Sequence, residues 1–112
     1  MANNQIKQGA LNGIRIVDVT TVVMGPYAMQ ILGDFGADVI KVEAPPGGDI
    51  SRYAGPSRSE GMGALFLHLN RNKRSIVLDL KKPEGREAML RLCRTADVVS
   101  YNVRPQAMER LG

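Results

Sequence analysis

Residues able to do chemistry are sparse in this sequence, and most are cations or carboxylates rather than nucleophiles. Residues 70–74 read NRNKR, three cations in five positions. Phosphates favour such a run, arginine through bidentate bonds and lysine as a point charge. Most charge runs are solvated turns, and taken alone this one reads more plainly as that; Arg104 and Arg110 add to the phosphate reading. His68, the only histidine, stands between Leu67 and Leu69 with no serine or cysteine partner by sequence, so it reads as a packed or surface residue. Cys93, the only cysteine, falls on an apolar helix face and reads as an inert thiol. One Cys and one His make no zinc set. Asp18, Asp34, Asp38, Asp49, Asp79 and Asp97 mostly punctuate element ends, with no close carboxylate pair evident. Glu43 ends an apolar run, where a dinucleotide fold can place an acid on a ribose hydroxyl. No G-x-G-x-x-G precedes it, so a standard NAD site is not indicated. A solvated strand-end carboxylate is the plainer reading.

These groups need elements to hold them. Residues 14–19 (IRIVDV) are β-branched and apolar, a buried strand. Residues 20–26 read as a loop with a Gly-Pro break, and 27–35 as a helix whose apolar face carries Tyr27, Ile31 and Phe35, closed by Gly36. Residues 38–43 are a second strand. Residues 44–63 are rich in Gly, Pro and Ser, a long loop of the kind that is often functional. A short helix at 64–69 and a basic turn lead to a third strand at 75–80. Pro83 opens a helix through residue 94, with Met89, Leu90, Leu92 and Cys93 inward. A fourth strand at 97–101 and a helix at 105–111 complete the chain.

The order β-α-β-loop-β-α-β-α predicts an α/β fold, a partial Rossmann-like parallel sheet. Open parallel sheets bind ligands at their carboxyl edge, here residues 20–25, 43–49, 79–82 and 101–104. Four apolar parallel strands want helices on both faces. With two complete crossover helices, part of the sheet is expected to be bare without more chain or a partner.

The 112 residues suit one small domain, with residues 1–10 a loose polar tail and 11–112 the folded part. No apolar run approaches the roughly 20 residues of a membrane span, and no signal core opens the chain. A single cysteine allows no internal disulfide and fits a reducing cytoplasm. The net charge of +4 suits a polyanionic small ligand such as a nucleotide or CoA. Aromatics are only 4% and do not alternate with basic residues, so base stacking on nucleic acid is poorly supported.

Several stretches together resemble family III CoA-transferases. They are LNGIRIVD (11–18), GP (25–26), LGDFGADVIKVE (32–43), GGD (47–49) with Arg52, NRNKRSIVLDLK (70–81), PEGR (83–86), ADVV (96–99) and NVRP (102–105). Each is modest alone; in this order and spacing they are specific. The resemblance implies an acyl-CoA:carboxylate CoA-transferase that works through an aspartyl-CoA intermediate, in an interlocked homodimer, with coenzyme A entering as acyl-CoA and no metal. It implies that the present chain is the N-terminal, CoA-binding part of such an enzyme. By position it implies that Val22, Val23, Leu78, Asp79, Leu80, Lys81, Asn102, Val103 and Arg110 contact CoA. Val23 stands where formyl-CoA transferase has glutamine, and Ala44 where that enzyme has an arginine on CoA. The catalytic aspartate of the family matches none of those here, so the chain alone is expected to be inactive. The alternatives are an α-methylacyl-CoA racemase of the same superfamily and a non-catalytic CoA- or nucleotide-binding module.

Overall fold

A computed structural model of the chain describes residues 9–112. The first eight residues of the expected tail lie outside the described residues. Gly9 is packed: a Cβ there would come within 2.2 Å of the Phe35 carbonyl oxygen.

The elements follow the order β1 (Arg15–Val19), α1 (Met24–Asp34), β2 (Asp38–Glu43), a 3-10 turn (Ile50–Tyr53), α2 (Ala64–Leu69), β3 (Lys73–Val77), α3 (Pro83–Cys93), β4 (Val98–Tyr101) and α4 (Pro105–Leu111). All four strands are parallel, in the order β3-β2-β1-β4. After β3 the chain returns across the sheet to place β4 beside β1. That reversal puts a topological switch point between β1 and β4, where open α/β sheets form their ligand crevice.

Alternation along the strands divides the core in two. Ile16 and Val39 point to one face and pack with Met29 of α1 and Ala37. Val17 and Val42 point to the other and pack with Met89 of α3. The outer strands are less well covered: Ile76 and Val77 of β3 and Val98 and Val99 of β4 are exposed.

Several boundaries and buried faces differ from the periodicity reading. α1 begins at Met24, so Pro26 lies inside its first turn, where its missing N–H costs no helical bond. Its buried residues are Pro26, Met29, Gln30 and Gly33, whereas Tyr27, Ile31 and Phe35 are exposed. β3 starts and ends earlier than expected because it takes its register from β2, from Val39↔Lys73 to Glu43↔Val77. Leu78 donates the last bond to the Glu43 carbonyl at 3.0 Å, and residues 78–81 then turn over the sheet edge. In α3, Met89 is buried and Leu92 and Cys93 half-buried, but Leu90 is exposed.

The turn after β3 rests directly on α3. A Cβ on Gly85 would lie 1.9 Å from the Asp79 carbonyl oxygen, so only glycine permits this approach. Gly85→Ala is therefore expected to cost about 1–3 kcal/mol by overpacking, seen as a lowered thermal midpoint. An unchanged midpoint would show that the turn yields freely.

Candidate functional site

A cleft of about 330 Å³ opens over the carboxyl edge of the sheet. Val19 and Thr21 reach it from the end of β1, Val42, Glu43, Ala44 and Pro45 from β2, and Leu78, Asp79, Leu80 and Lys81 from β3. Val103, after β4, and Met108 and Leu111 of α4 complete the wall. The lining is mostly apolar with a few polar groups, as small-molecule sites are. A hollow of about 250 Å³ adjoins it, sharing Leu80, Met108 and Leu111 and running along α3 past Met89 and Cys93. Another, wider hollow of about 520 Å³ lies among residues 56–67, away from the strand ends.

Five of the residues singled out in the sequence therefore line one cleft: Leu78, Asp79, Leu80, Lys81 and Val103. Val22 and Val23 lie on the turn that follows Thr21 and are exposed beside the cleft rather than lining it. Asn102 acts from behind the wall. Its amide accepts from the Thr21 N–H at 3.1 Å and donates to the Thr21 carbonyl at 2.9 Å. Arg110 is exposed on α4, outside the lining. Met108 and Leu111 of α4 carried no sequence signal beyond helical spacing.

The larger omission is a row of buried charge on the α1 side of the sheet. Lys73 Nζ lies 2.8 Å from Asp18, Lys41 Nζ 2.8 Å from Asp49, and Arg52 2.6 Å from Glu43. Apart from Arg52, which is partly exposed, these side chains are almost fully buried. Glu43 is thus no solvated strand-end carboxylate. It accepts from Arg52 Nε and Nη2, from the Asp49 N–H at 2.8 Å, and from the Ser75 hydroxyl. Burial pushes its carboxyl up, but these donors outweigh burial and hold it at about 2. Asp49 is likewise raised by burial and pulled below the usual carboxylate range by Lys41 and Ser51. Burial pushes the Lys73 ammonium down, partly offset by Asp18. Alternating hydrophobicity hides such pairs, because Lys41 and Asp18 look like the polar positions of half-exposed strands.

The basic run 70–74 is the same story at the opposite, amino edge of the sheet. Arg71 pairs with Asp34 at 2.7 Å, Arg74 with Asp38 at 2.8 Å, and Lys73 is the buried partner of Asp18. These cations serve carboxylates of the chain itself and stand away from the cleft. His68 is exposed. The Cys93 thiol is half-buried and pushed up by burial, in keeping with a packing role. Among the described residues, no His, Cys, Asp and Glu gather in a group able to hold a metal ion, and no helix is long and apolar enough to cross a membrane.

A four-stranded parallel α/β sheet with a cleft over its carboxyl edge defines the class. The chain belongs to CoA-transferase family III, whose profile matches residues 11–112. It is 48% identical over 108 residues to a succinate–glutarate CoA-transferase of Agrobacterium fabrum, covering 91% of this chain and 27% of that protein. It is 47% identical over 103 residues to a formyl-CoA:oxalate CoA-transferase of Afipia carboxidovorans, covering 92% and 24%. A solved CaiB/BaiF family protein from Brucella suis superposes with a TM-score of 0.86 at 41% identity, covering 93% of this chain and 28% of that one. The chain thus spans about a quarter of the length of the relatives it matches.

The Glu43 network has a consequence in acid. Its folded carboxyl sits near 2 against an ordinary 4.5, so the folded state binds fewer protons through this window. Its contribution, about 3 kcal/mol, is fully present above the ordinary value and is lost as pH falls through the folded one. Urea titrations from pH 5 to pH 2 are expected to show stability falling, with a shallower fall in Glu43→Gln. Parallel slopes for the two proteins would contradict the assignment.

Proposed function

We propose that this chain is the CoA-binding segment of an acyl-CoA:carboxylate CoA-transferase, and that the nucleophilic aspartate lies outside these 112 residues. The observation that carries the reading is the convergence of Leu78, Asp79, Leu80, Lys81 and Val103 on one cleft over the carboxyl edge of the sheet. The names of the relatives support CoA as the shared ligand. Val22, Val23, Asn102 and Arg110 complete the proposed cradle, Asn102 by fixing the first turn and Arg110 as a cation within reach of phosphate as the ligand leaves the cleft.

The reaction splits one hard step into easier ones. An aspartate carboxylate attacks the thioester carbonyl of acyl-CoA, forming a mixed anhydride and releasing the CoA thiolate. The thiolate attacks the aspartyl carbonyl, giving an aspartyl-CoA thioester and freeing the first carboxylic acid as its anion. The acceptor carboxylate then attacks that thioester, and the released thiolate takes the acceptor's acyl carbon, restoring the aspartate. This segment holds the CoA throughout, so that the thiolate is not lost between steps.

Among the aspartates described here, Asp79 alone lines the cleft, and the others are engaged elsewhere. Asp18, Asp34, Asp38 and Asp49 are paired with cations. Asp97 accepts from the Arg15 N–H, and Asp79 from the Lys81 N–H. A paired carboxylate is a weak nucleophile. In this reading the complete protein acts as a homodimer in the cytoplasm, on an acyl-CoA and a carboxylic acid acceptor.

Titration calorimetry with CoA is expected to show binding that Leu80→Asp weakens about tenfold or more. Incubating the complete protein with acyl-CoA and trapping with hydroxylamine should mark an aspartate outside residues 1–112. Modification of Asp79, or unaltered CoA binding by Leu80→Asp, would overturn this assignment.

A further inference from the structure

We propose that the buried Lys41–Asp49 pair is a positioning device that holds Val22 in a left-handed backbone conformation and so sets the turn flanking the cleft. The ligand in this proposal rests on the CoA reading above; the geometry does not.

Val22 has φ +74°. A branched side chain crowds its own backbone there, and a β-branched residue in that region is a true outlier. Asn72 also has a positive φ, but asparagine tolerates it. A strained valine persists only where its surroundings over-determine it, and here they do. The Thr20 carbonyl accepts from Lys41 Nζ at 3.0 Å. Thr21 is gripped on both its N–H and carbonyl by Asn102. The Val22 N–H donates to both Asp49 carboxylate oxygens at 3.3 Å. A Cβ on Gly25 would lie 2.4 Å from the Thr20 Cβ, so the far end of the turn is close-packed as well.

Lys41 and Asp49 therefore hold two backbone groups of the turn, the Thr20 carbonyl and the Val22 N–H. Lys41 binds the carbonyl of Thr20 directly and reaches the N–H of Val22 through Asp49, whose carboxylate lies 2.8 Å from its ammonium. Asp49 cannot turn away, because the Ser51 N–H and hydroxyl donate to it at 2.9 and 2.8 Å, and its own N–H is held by Glu43. The result is that Val22 and Val23, 42% and 38% exposed, stand outward where the cleft wall of Val19 and Thr21 ends. Relaxed to the usual β region, Val22 would redirect both side chains.

The test uses the full chain. Asp49→Ala removes both acceptor oxygens. Should it fail to fold, Lys41→Met combined with Asp49→Leu removes the same acceptor while leaving no buried unpaired charge. Two quantities are read in each, with and without Val22→Gly: hydrogen exchange of the residue 22 amide and the CoA dissociation constant. Loss of the carboxylate is expected to speed exchange of the Val22 amide at least about tenfold. It is expected to weaken CoA about tenfold with Val22 present. In the V22G background the same change should cost under about threefold, because glycine adopts the turn without a clamp. Unchanged Val22 exchange, or an equal loss of CoA affinity in both backgrounds, would overturn the proposal. If the unsubstituted chain binds no CoA, the ligand reading falls and the exchange measurement alone decides the positioning role.

Discussion

The structure depends on a row of charge along the α1 face of the sheet. Lys73 with Asp18, Lys41 with Asp49 and Arg52 with Glu43 lie on one face of the sheet, and among the described residues no buried side-chain nitrogen or oxygen lacks a hydrogen-bond partner. Burying an ion pair is costly, and removing one partner from a buried pair typically costs about 3–5 kcal/mol because the other charge is stranded. The row is therefore a constraint more than a source of net stability. It admits only arrangements in which every member finds its partner, and those partners come from β1, β2, β3 and the loop after β2. The partners fix where the loops at the sheet's carboxyl edge begin.

The opposite face is conventional by comparison. Val17 and Val42 pack with Met89 of α3. The cleft then arises over the carboxyl ends of the strands. The turn after β3 lies on α3 at Gly85, the turn after β1 is held by Asn102 and the buried charges, and α4 closes the far side with Met108 and Leu111. One wall is thus set by apolar packing and the other by ion pairs.

Much of the fold was legible in the residues. β2, α2 and α4 fall where pattern and punctuation place them, because an apolar β-branched run, a short apolar helix and a Pro-initiated segment are local signals. β3 was displaced because its limits are set by pairing with β2, not by its own residues. The inward side of α1 was misread because Gly33 and Gln30, not the larger Tyr27 and Phe35, meet the rest of the molecule. Gln30 is buried because its side-chain oxygen accepts from the Arg71 N–H at 3.0 Å, a contact 41 residues away in sequence. The cleft was legible as a set of strand ends, and five of its residues were named from motifs. The clamp beneath it was not.

The sequence by itself determined the alternation of strand and helix, the parallel sheet and the motifs that mark the family, since all of these are properties of neighbouring residues and their order. Only the tertiary structure decided which charges are spent internally and which remain for a ligand. The NRNKR run looks like an anion site in one dimension, yet Asp18, Asp34 and Asp38 neutralise it in three. The reason is physical: an electrostatic interaction is fixed by distance and burial, and for residues 30–60 positions apart neither is set until the sheet has formed.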